Sequence, residues 1–135
     1  MNNQLYIIDL QDVDKIKIKK NFYLINFDDV NSIKIIPFYE NLKKEEQINL
    51  IQYFFQLTNI NIRVNDLLGK LSITILKALI DGENQDIIIN SIGLSENSIS
   101  FLTEHLKKIL NNFKDKNIFI VKNNQNTIDF DFSKL

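Results

Sequence analysis

Short apolar runs alternate with polar or acidic turns over the first forty residues, a pattern typical of β-strands. The apolar runs are QLYIIDL (4–10), KIKIK (15–19), NFYLINF (21–27) and IKIIPFY (33–39), the last interrupted by Pro37. In NLKKEEQINLIQYFFQL, apolar residues recur every three to four positions, which predicts an amphipathic helix over 41–57. The segment 1–66 is therefore expected to form a small β-rich α/β part that serves dimerisation or partner docking.

From residue 67 the spacing of apolar residues becomes helical. LLGKLSITILKALIDG predicts a first helix that ends at Gly82, and NQDIIINSIG predicts a short second helix that ends at Gly93. Ser95 is a suitable N-cap for a third helix, predicted over 95–113. The tail NIFIVKNNQNTIDFDF has two alternating runs around a polar turn, which predicts a β-hairpin.

This order of elements predicts an α+β fold class with two parts. The small N-terminal β-rich α/β part covers 1–66, and a C-terminal winged helix-turn-helix domain covers 67–135. The first helix, the short second helix and the third helix form the helix-turn-helix, and the hairpin forms the wing. In such a domain the third helix is the recognition helix that enters the major groove of DNA.

Residues 68–110 resemble the DNA-binding module of LuxR-type regulators. The resemblance is carried by apolar and glycine positions of the three predicted helices: Leu68, Ile75, Leu76, Gly82, Ile88, Ile92, the run GLSENSI (93–99), Leu106 and Leu110. It implies a transcriptional regulator that binds double-stranded DNA. The acidic residues of the family's first two helices are absent, and the histidine of its recognition helix is Leu102 here. The predicted hairpin replaces the family's dimerising fourth helix, which favours a winged-helix variant.

Ten residues are the candidate DNA contacts. They are Ser95, Asn97, Ser98, Ser100, Phe101, Thr103, His105, Lys107, Lys108 and Lys122. The resemblance places Ser98 where the family has a phosphate-contacting threonine. Asn97 has the amide that can read an adenine edge, and Phe101 can contact a thymine methyl group. His105, Lys107 and Lys108 are suited to the phosphate backbone, since affinity for DNA comes largely from cations on phosphates. Lys122 of the predicted hairpin can lie along an adjacent groove.

Charge and composition argue against several other classes of function. The net charge is −1, with 16 basic and 17 acidic residues, and Arg63 is the sole arginine. Such a balance provides no general attraction to nucleic acid or to anionic membranes. The chain has one histidine, no cysteine and no glycine-rich phosphate loop, so neither an enzyme, a cofactor nor a metal site is predicted. Asp9, Asp12 and Asp14 could hold a hard cation, but turn-forming aspartates are far commoner.

Two functions remain open from the sequence. The first is a small cytoplasmic DNA-binding regulator without a membrane segment, acting as a homodimer, with RNA polymerase or another regulator as a further partner. The alternative is an adaptor between proteins that does not bind DNA, favoured by the neutral charge, by Glu104 and by Phe101 on the outer helix face. A contiguous lysine surface would support DNA binding, whereas an apolar patch centred on Phe101 would support a protein partner.

Overall fold

The structure, a computed structural model, describes residues 5–15, 22–32, 37–82, 86–113 and 116–122. Four strands lie in this part of the chain: β1 (Leu5–Asp9), β2 (Tyr23–Asn26), β3 (Ile87–Asn90) and β4 (Ile118–Lys122). The helices are α1 (Phe27–Ser32), α2 (Pro37–Glu40), α3 (Lys44–Thr58), α4 (Leu67–Asp81) and α5 (Glu96–Leu110), with a 3-10 helix over Leu10–Lys15 after β1. The fold thus mixes helix and strand, as the sequence predicted.

The four strands form one sheet in the order β1-β4-β3-β2, and each neighbouring pair runs parallel. Ile118 of β4 lies between Leu5 of β1 and Ile87 of β3, which in turn pairs with Tyr23 of β2. Two strands come from the predicted N-terminal part and two from the predicted C-terminal domain. The segments 1–66 and 67–135 therefore contribute to a single sheet.

Helices cover one face of this sheet. Alternate strand residues, Leu5, Ile25, Ile87, Ile89, Ile118 and Ile120, belong to a core that also contains the inner sides of α3, α4 and α5. Ile88 and Val121 project to the opposite face, where they pack against Leu10. Because both faces are covered, the strands β3 and β4 have continuous apolar runs rather than alternating ones, as parallel sheets usually do.

The prediction of a short second helix was wrong, because the central residues of that segment form the strand β3. Ile87, Ile88 and Ile89 are β-branched and are all essentially inaccessible to solvent. A helix lying on a surface would bury one side only, whereas a central parallel strand buries every residue. Gly93 adopts a left-handed φ of 97° in the turn between β3 and α5 instead of ending a helix. Since 67–122 runs helix, strand, helix, strand, the helix-turn-helix is not formed as predicted.

The third predicted helix is confirmed as α5, which connects β3 to β4 and so forms a β-α-β unit. In this arrangement the helix begins near the carboxyl end of β3 and ends near the amino end of β4. The first run of the predicted hairpin is confirmed as the strand β4, but β4 pairs in parallel with β1 and β3. The hairpin's second run lies outside the described residues.

Of the remaining predicted elements, most are confirmed and one strand is not. The predicted helix over 41–57 is confirmed as α3, the first helix of the second half is α4, and the runs at 4–10 and 21–27 contain β1 and β2. The described part of 33–39 was wrongly predicted as a strand, because Pro37 starts the short helix α2, where its fixed φ is suited to the first position. KIKIK lies outside the described residues apart from Lys15, the last residue of the 3-10 helix.

Candidate functional site

The ten candidate DNA contacts do not lie on one surface. Nine belong to α5 or its N-cap, and Lys122 is the last residue of β4. Asn97, Ser100, Phe101 and both helix lysines are exposed, while Ser98 and Lys122 are half-buried. The exposed residues form the outer side of the helix. Its inner side faces the core through Ile99, Leu102, Leu106 and Ile109.

The prediction that Thr103 and His105 contact DNA was wrong, because both side chains are buried. The Thr103 hydroxyl donates a hydrogen bond to the Ile99 carbonyl one turn earlier, at 2.7 Å. His105 is fully buried, although the sequence pattern predicted that it would lie on the surface. It lies on the side of α5 that faces α3 and α4, between the two apolar positions Leu102 and Leu106.

Ser95 has a structural role that was predicted and is confirmed. Its hydroxyl accepts a hydrogen bond from the backbone N–H of Ser98 at 3.1 Å and donates one to the Ser98 hydroxyl at 3.0 Å. The first bond satisfies one of the N–H groups that a helix leaves free in its first turn. The two serines therefore bond to each other at the start of α5.

The lysines near α5 lie at opposite ends of the strands. Lys107 and Lys108 lie in the last turn of α5, and Lys116 precedes β4, all toward the amino end of the strands. Lys122 is the last residue of β4, at the opposite end of the strand, about 13 Å from Ile118 at roughly 3.3 Å per residue. There it borders a small groove of about 170 Å³ together with Glu96 and Glu104. These lysines consequently do not make one continuous cationic surface.

A larger groove lies on the other side of α5 and includes Phe101. It has a volume of about 420 Å³ and is lined by residues 60–63, 66–69, 98 and 101; we call it the Phe101 groove. Ile60, Ile62, Leu67 and Leu68 give it an apolar lining, and Phe101, with 40% of its surface exposed, forms one wall. An exposed aromatic ring beside partly exposed aliphatic side chains is typical of a protein-binding surface.

The turn that builds this groove is held against α4 by a close approach at Gly69. Asp66 donates its backbone N–H to the Arg63 carbonyl at 3.0 Å, which closes the turn before α4. A Cβ atom at Gly69 would overlap the Arg63 carbonyl oxygen, so glycine is required for this packing. The result fixes the backbone of the segment 63–66 next to the first turn of α4.

Two opposite charges lie at the groove on this turn. Arg63 and Asp66 are both exposed and both line the Phe101 groove. Asp66 occupies the N-cap position of α4, but its side chain makes no capping hydrogen bond. Within the described part of the chain, neither side chain forms an ion pair, with the other or with a third residue.

Phe101 rests on His105. The two rings meet edge to face with centroids 5.1 Å apart, and Phe54 of α3 makes a similar contact with the other side of His105 at 5.4 Å. Nε2 of His105 is 3.1 Å from the hydroxyl of Ser72 on α4, while Nδ1 is buried and has no hydrogen-bond partner among the described residues. Burial, and secondarily the charge of Lys108, lowers the His105 pKa to about 4, so the ring is neutral at pH 7. A neutral ring held by three helices gives Phe101 a rigid base.

The carboxyl ends of the strands, where ligands bind in many parallel sheets, carry polar side chains. There Asn90 donates a side-chain hydrogen bond to Asn26 at 3.0 Å, and Asn26 donates one to Asp29 at 3.2 Å. These polar groups bond to one another. Over the described ranges, His, Cys, Asp and Glu residues form no cluster of three that could hold a metal ion, and of Asp14 only the backbone is described.

Sequence reasoning missed the segment 60–69 as part of a site. In TNINIRVND (58–66) the alternation of apolar and polar residues is brief, so the sequence alone fits either a short strand or a connection. Two residues of the segment 60–69 could have drawn attention to it. One is Arg63, the sole arginine of the chain; the other is Gly69, which lies inside a helical pattern, where glycine is costly unless packing requires it. The aromatic residues of α3 divide between core and surface: Phe54 is buried and Phe55 is exposed.

No helix in the described ranges is long and apolar enough to cross a membrane. No protein-family model matches this chain, and neither a curated protein nor a solved structure shows significant similarity to it.

Proposed function

We propose that this chain is an adaptor that binds a protein partner through the Phe101 groove. The observation that carries the proposal is the exposed ring of Phe101 beside an apolar groove of about 420 Å³. Interface hot spots typically combine an aromatic anchor with a desolvated pocket and a polar rim. The Phe101 groove has the aromatic ring, the aliphatic lining and a rim formed by Asn61, Arg63 and Asp66.

Rigidity also supports a binding role for this ring. An exposed side chain that changes rotamer freely would lose conformational entropy when a partner orders it. Phe101 is in contact with the buried ring of His105, which Phe54 and Ser72 hold in place. Binding at this ring therefore loses little conformational entropy, and an adaptor benefits from such a preorganised contact.

The charges around α5 favour a protein partner over DNA. The outer side and ends of the helix carry Glu96 and Glu104 as well as Lys107 and Lys108, and the charges cancel formally. Carboxylates that face phosphates oppose binding, whereas a protein surface of mixed charge can pair with both signs.

The DNA-binding regulator is the second candidate, and one observation favours it. Asn97 and Ser100, which have groups suited to base edges, are exposed in the first two turns of α5, close to a helix N-terminus that attracts phosphate. As a regulator, the chain would bind DNA through this helix without a second helix before it, and as a dimer.

The test uses a photo-crosslinking phenylalanine analogue at position 101 or, as a matched control, at position 55. The two native side chains are exposed to nearly the same extent, 40% and 39%, but Phe55 does not line the groove. Each variant is irradiated in an extract of the producing cells, and the adducts are identified by mass spectrometry. We expect protein adducts at position 101 that are absent at position 55.

Two further arms decide between the candidate functions. Leu68→Asp places a charge in the groove at the start of α4, where an acidic residue is tolerated by the helix dipole, and we expect it to abolish the adducts at position 101. In parallel, selection from a random pool of duplex DNA is compared with the Asn97→Ala, Ser100→Ala variant. Adducts that ignore Leu68→Asp, or a DNA motif that only the unmodified chain enriches, would overturn the adaptor.

A further inference from the structure

We propose that the partner at the Phe101 groove is a second copy of this chain, bound across a two-fold axis that passes through the turn at Arg63–Asp66. This inference rests on the proposed function, since it names the occupant of the same groove. In a two-fold interface the same surface meets itself, so residue i of one copy contacts residue j of the other and the reverse. A self-complementary surface must therefore carry both members of each interacting pair.

The turn before α4 carries such a pair. Arg63 and Asp66 have opposite charges, lie three residues apart on one turn and are both exposed at the groove. They form no ion pair with each other, and within the described ranges neither side chain has another ionic partner. A two-fold axis between them places Arg63 of each copy against Asp66 of the other and satisfies four charges with two contacts.

The apolar part of the groove fits the same arrangement. Phe101 is the protruding element and the side chains of Ile60, Ile62 and Leu67 form the depression, all on one surface. When two such surfaces meet about an axis near the turn, each copy supplies a ring and a depression. A partner of unrelated sequence would need to match an adjacent positive and negative charge, which this chain already provides.

The experiment is a charge exchange followed by sedimentation equilibrium on the full chain over about a hundredfold range of concentration. We expect the unmodified chain to dimerise reversibly. Arg63→Asp places two carboxylates opposite each other at both contacts, and Asp66→Arg places two cations there. We expect each single variant to weaken dimerisation about tenfold or more, since both contacts change from attraction to repulsion.

The two single variants control for each other. In an equimolar mixture, a heterodimer of Arg63→Asp with Asp66→Arg has an opposite-charge pair at both contacts, so we expect association to return to nearly the unmodified strength. The double variant restores both pairs within one sequence and is expected to dimerise as well. The recovery in the mixture cannot arise from better folding, because the mixture contains the same two chains that fail separately.

Three outcomes would overturn the inference. They are a monomer at every concentration, a dimer that ignores both substitutions, and a mixture no stronger than its components. A monomeric chain whose analogue at position 101 still forms groove-dependent adducts with a different protein would leave the adaptor function standing. A chain that gives neither a dimer nor adducts would refute both proposals.

Discussion

The ring of Phe101 meets the ring of His105 edge to face, with planes at 75° and centroids 5.1 Å apart. One ring is exposed at a groove and the other is fully buried, so this pair connects the proposed binding surface to the core. Phe54 contacts the same histidine from α3, and Ser72 does so from α4. The orientation of the groove wall therefore depends on the packing of three helices.

Protonation of His105 is expected to destabilise the fold in mild acid. Its folded pKa of about 4 lies below the ordinary value of 6.5, so the unfolded chain binds the proton more tightly. The stability linked to this ring is fully present above pH 6.5 and is lost as the pH falls toward 4, by about 3 kcal/mol in total.

The measurement is urea denaturation between pH 7.5 and pH 4, with His105→Leu as the comparison. Carboxylates titrate in both proteins, so the difference between the two pH profiles reports the histidine. The unmodified chain is expected to lose more stability below pH 6.5 than the variant. Parallel profiles would contradict a buried neutral histidine.

Ser95→Ala is expected to lower the free energy of unfolding by about 1 kcal/mol, because the helix loses an N-cap acceptor for the Ser98 N–H. Ser100→Ala is the matched control, since Ser100 is exposed within the same helix and is not at the cap. Chemical denaturation of both variants at pH 7 gives the comparison. Equal losses would show that Ser95 is not the cap.

Ile89→Ala tests the strand β3. The Ile89 side chain is fully buried in the central part of the sheet, so its truncation is expected to cost about 3 kcal/mol. Ile80→Ala removes the same atoms from a side chain that is 46% exposed on α4, and a much smaller loss is expected. Similar losses in thermal or urea unfolding would contradict the assignment of 87–90 to the sheet.

Gly69→Ala is expected to displace the turn that carries Arg63, because the new methyl group would overlap the Arg63 carbonyl oxygen. Both the stability and the crosslinking at position 101 should therefore fall. Gly82→Ala is the control: Gly82 follows α4 with a φ of −78°, which any residue adopts, and little change is expected. Unchanged crosslinking in the Gly69 variant would show that the position of the turn does not affect binding at the groove.

The helices were predictable because their apolar spacing is long and unambiguous. Ser95 and the core positions from Ile99 to Leu110 follow from sequence pattern alone, and α3 and α4 were recognised in the same way. The run Ile87–Ile89 was not, because three consecutive buried residues fit either a buried strand or a short helix. Only the neighbouring strands, which are remote in sequence, decide between them.

Of the candidate site, the sequence predicted one residue and little else. Phe101 was identified as an exposed aromatic on the outer side of its helix, but the walls opposite it come from 60–69. His105 was misplaced because helical spacing separates one buried side from the rest and gives no warning that α3 and α4 cover a second side. Contacts between helices are decided by the tertiary arrangement.

The position of β1 has a consequence for synthesis of the chain. β1 precedes the other described strands in the chain, yet the strand with which it pairs is β4, the last of them in chain order. Until Ile118–Lys122 leaves the ribosome, Leu5–Asp9 lacks the strand with which it pairs among the described residues, and β3 lacks its β4 neighbour as well. Pairings this remote in sequence slow folding and leave strand edges open to aggregation. Nascent chains released before residue 118 should accordingly depend on chaperones, because the sheet closes only once β4 has been made.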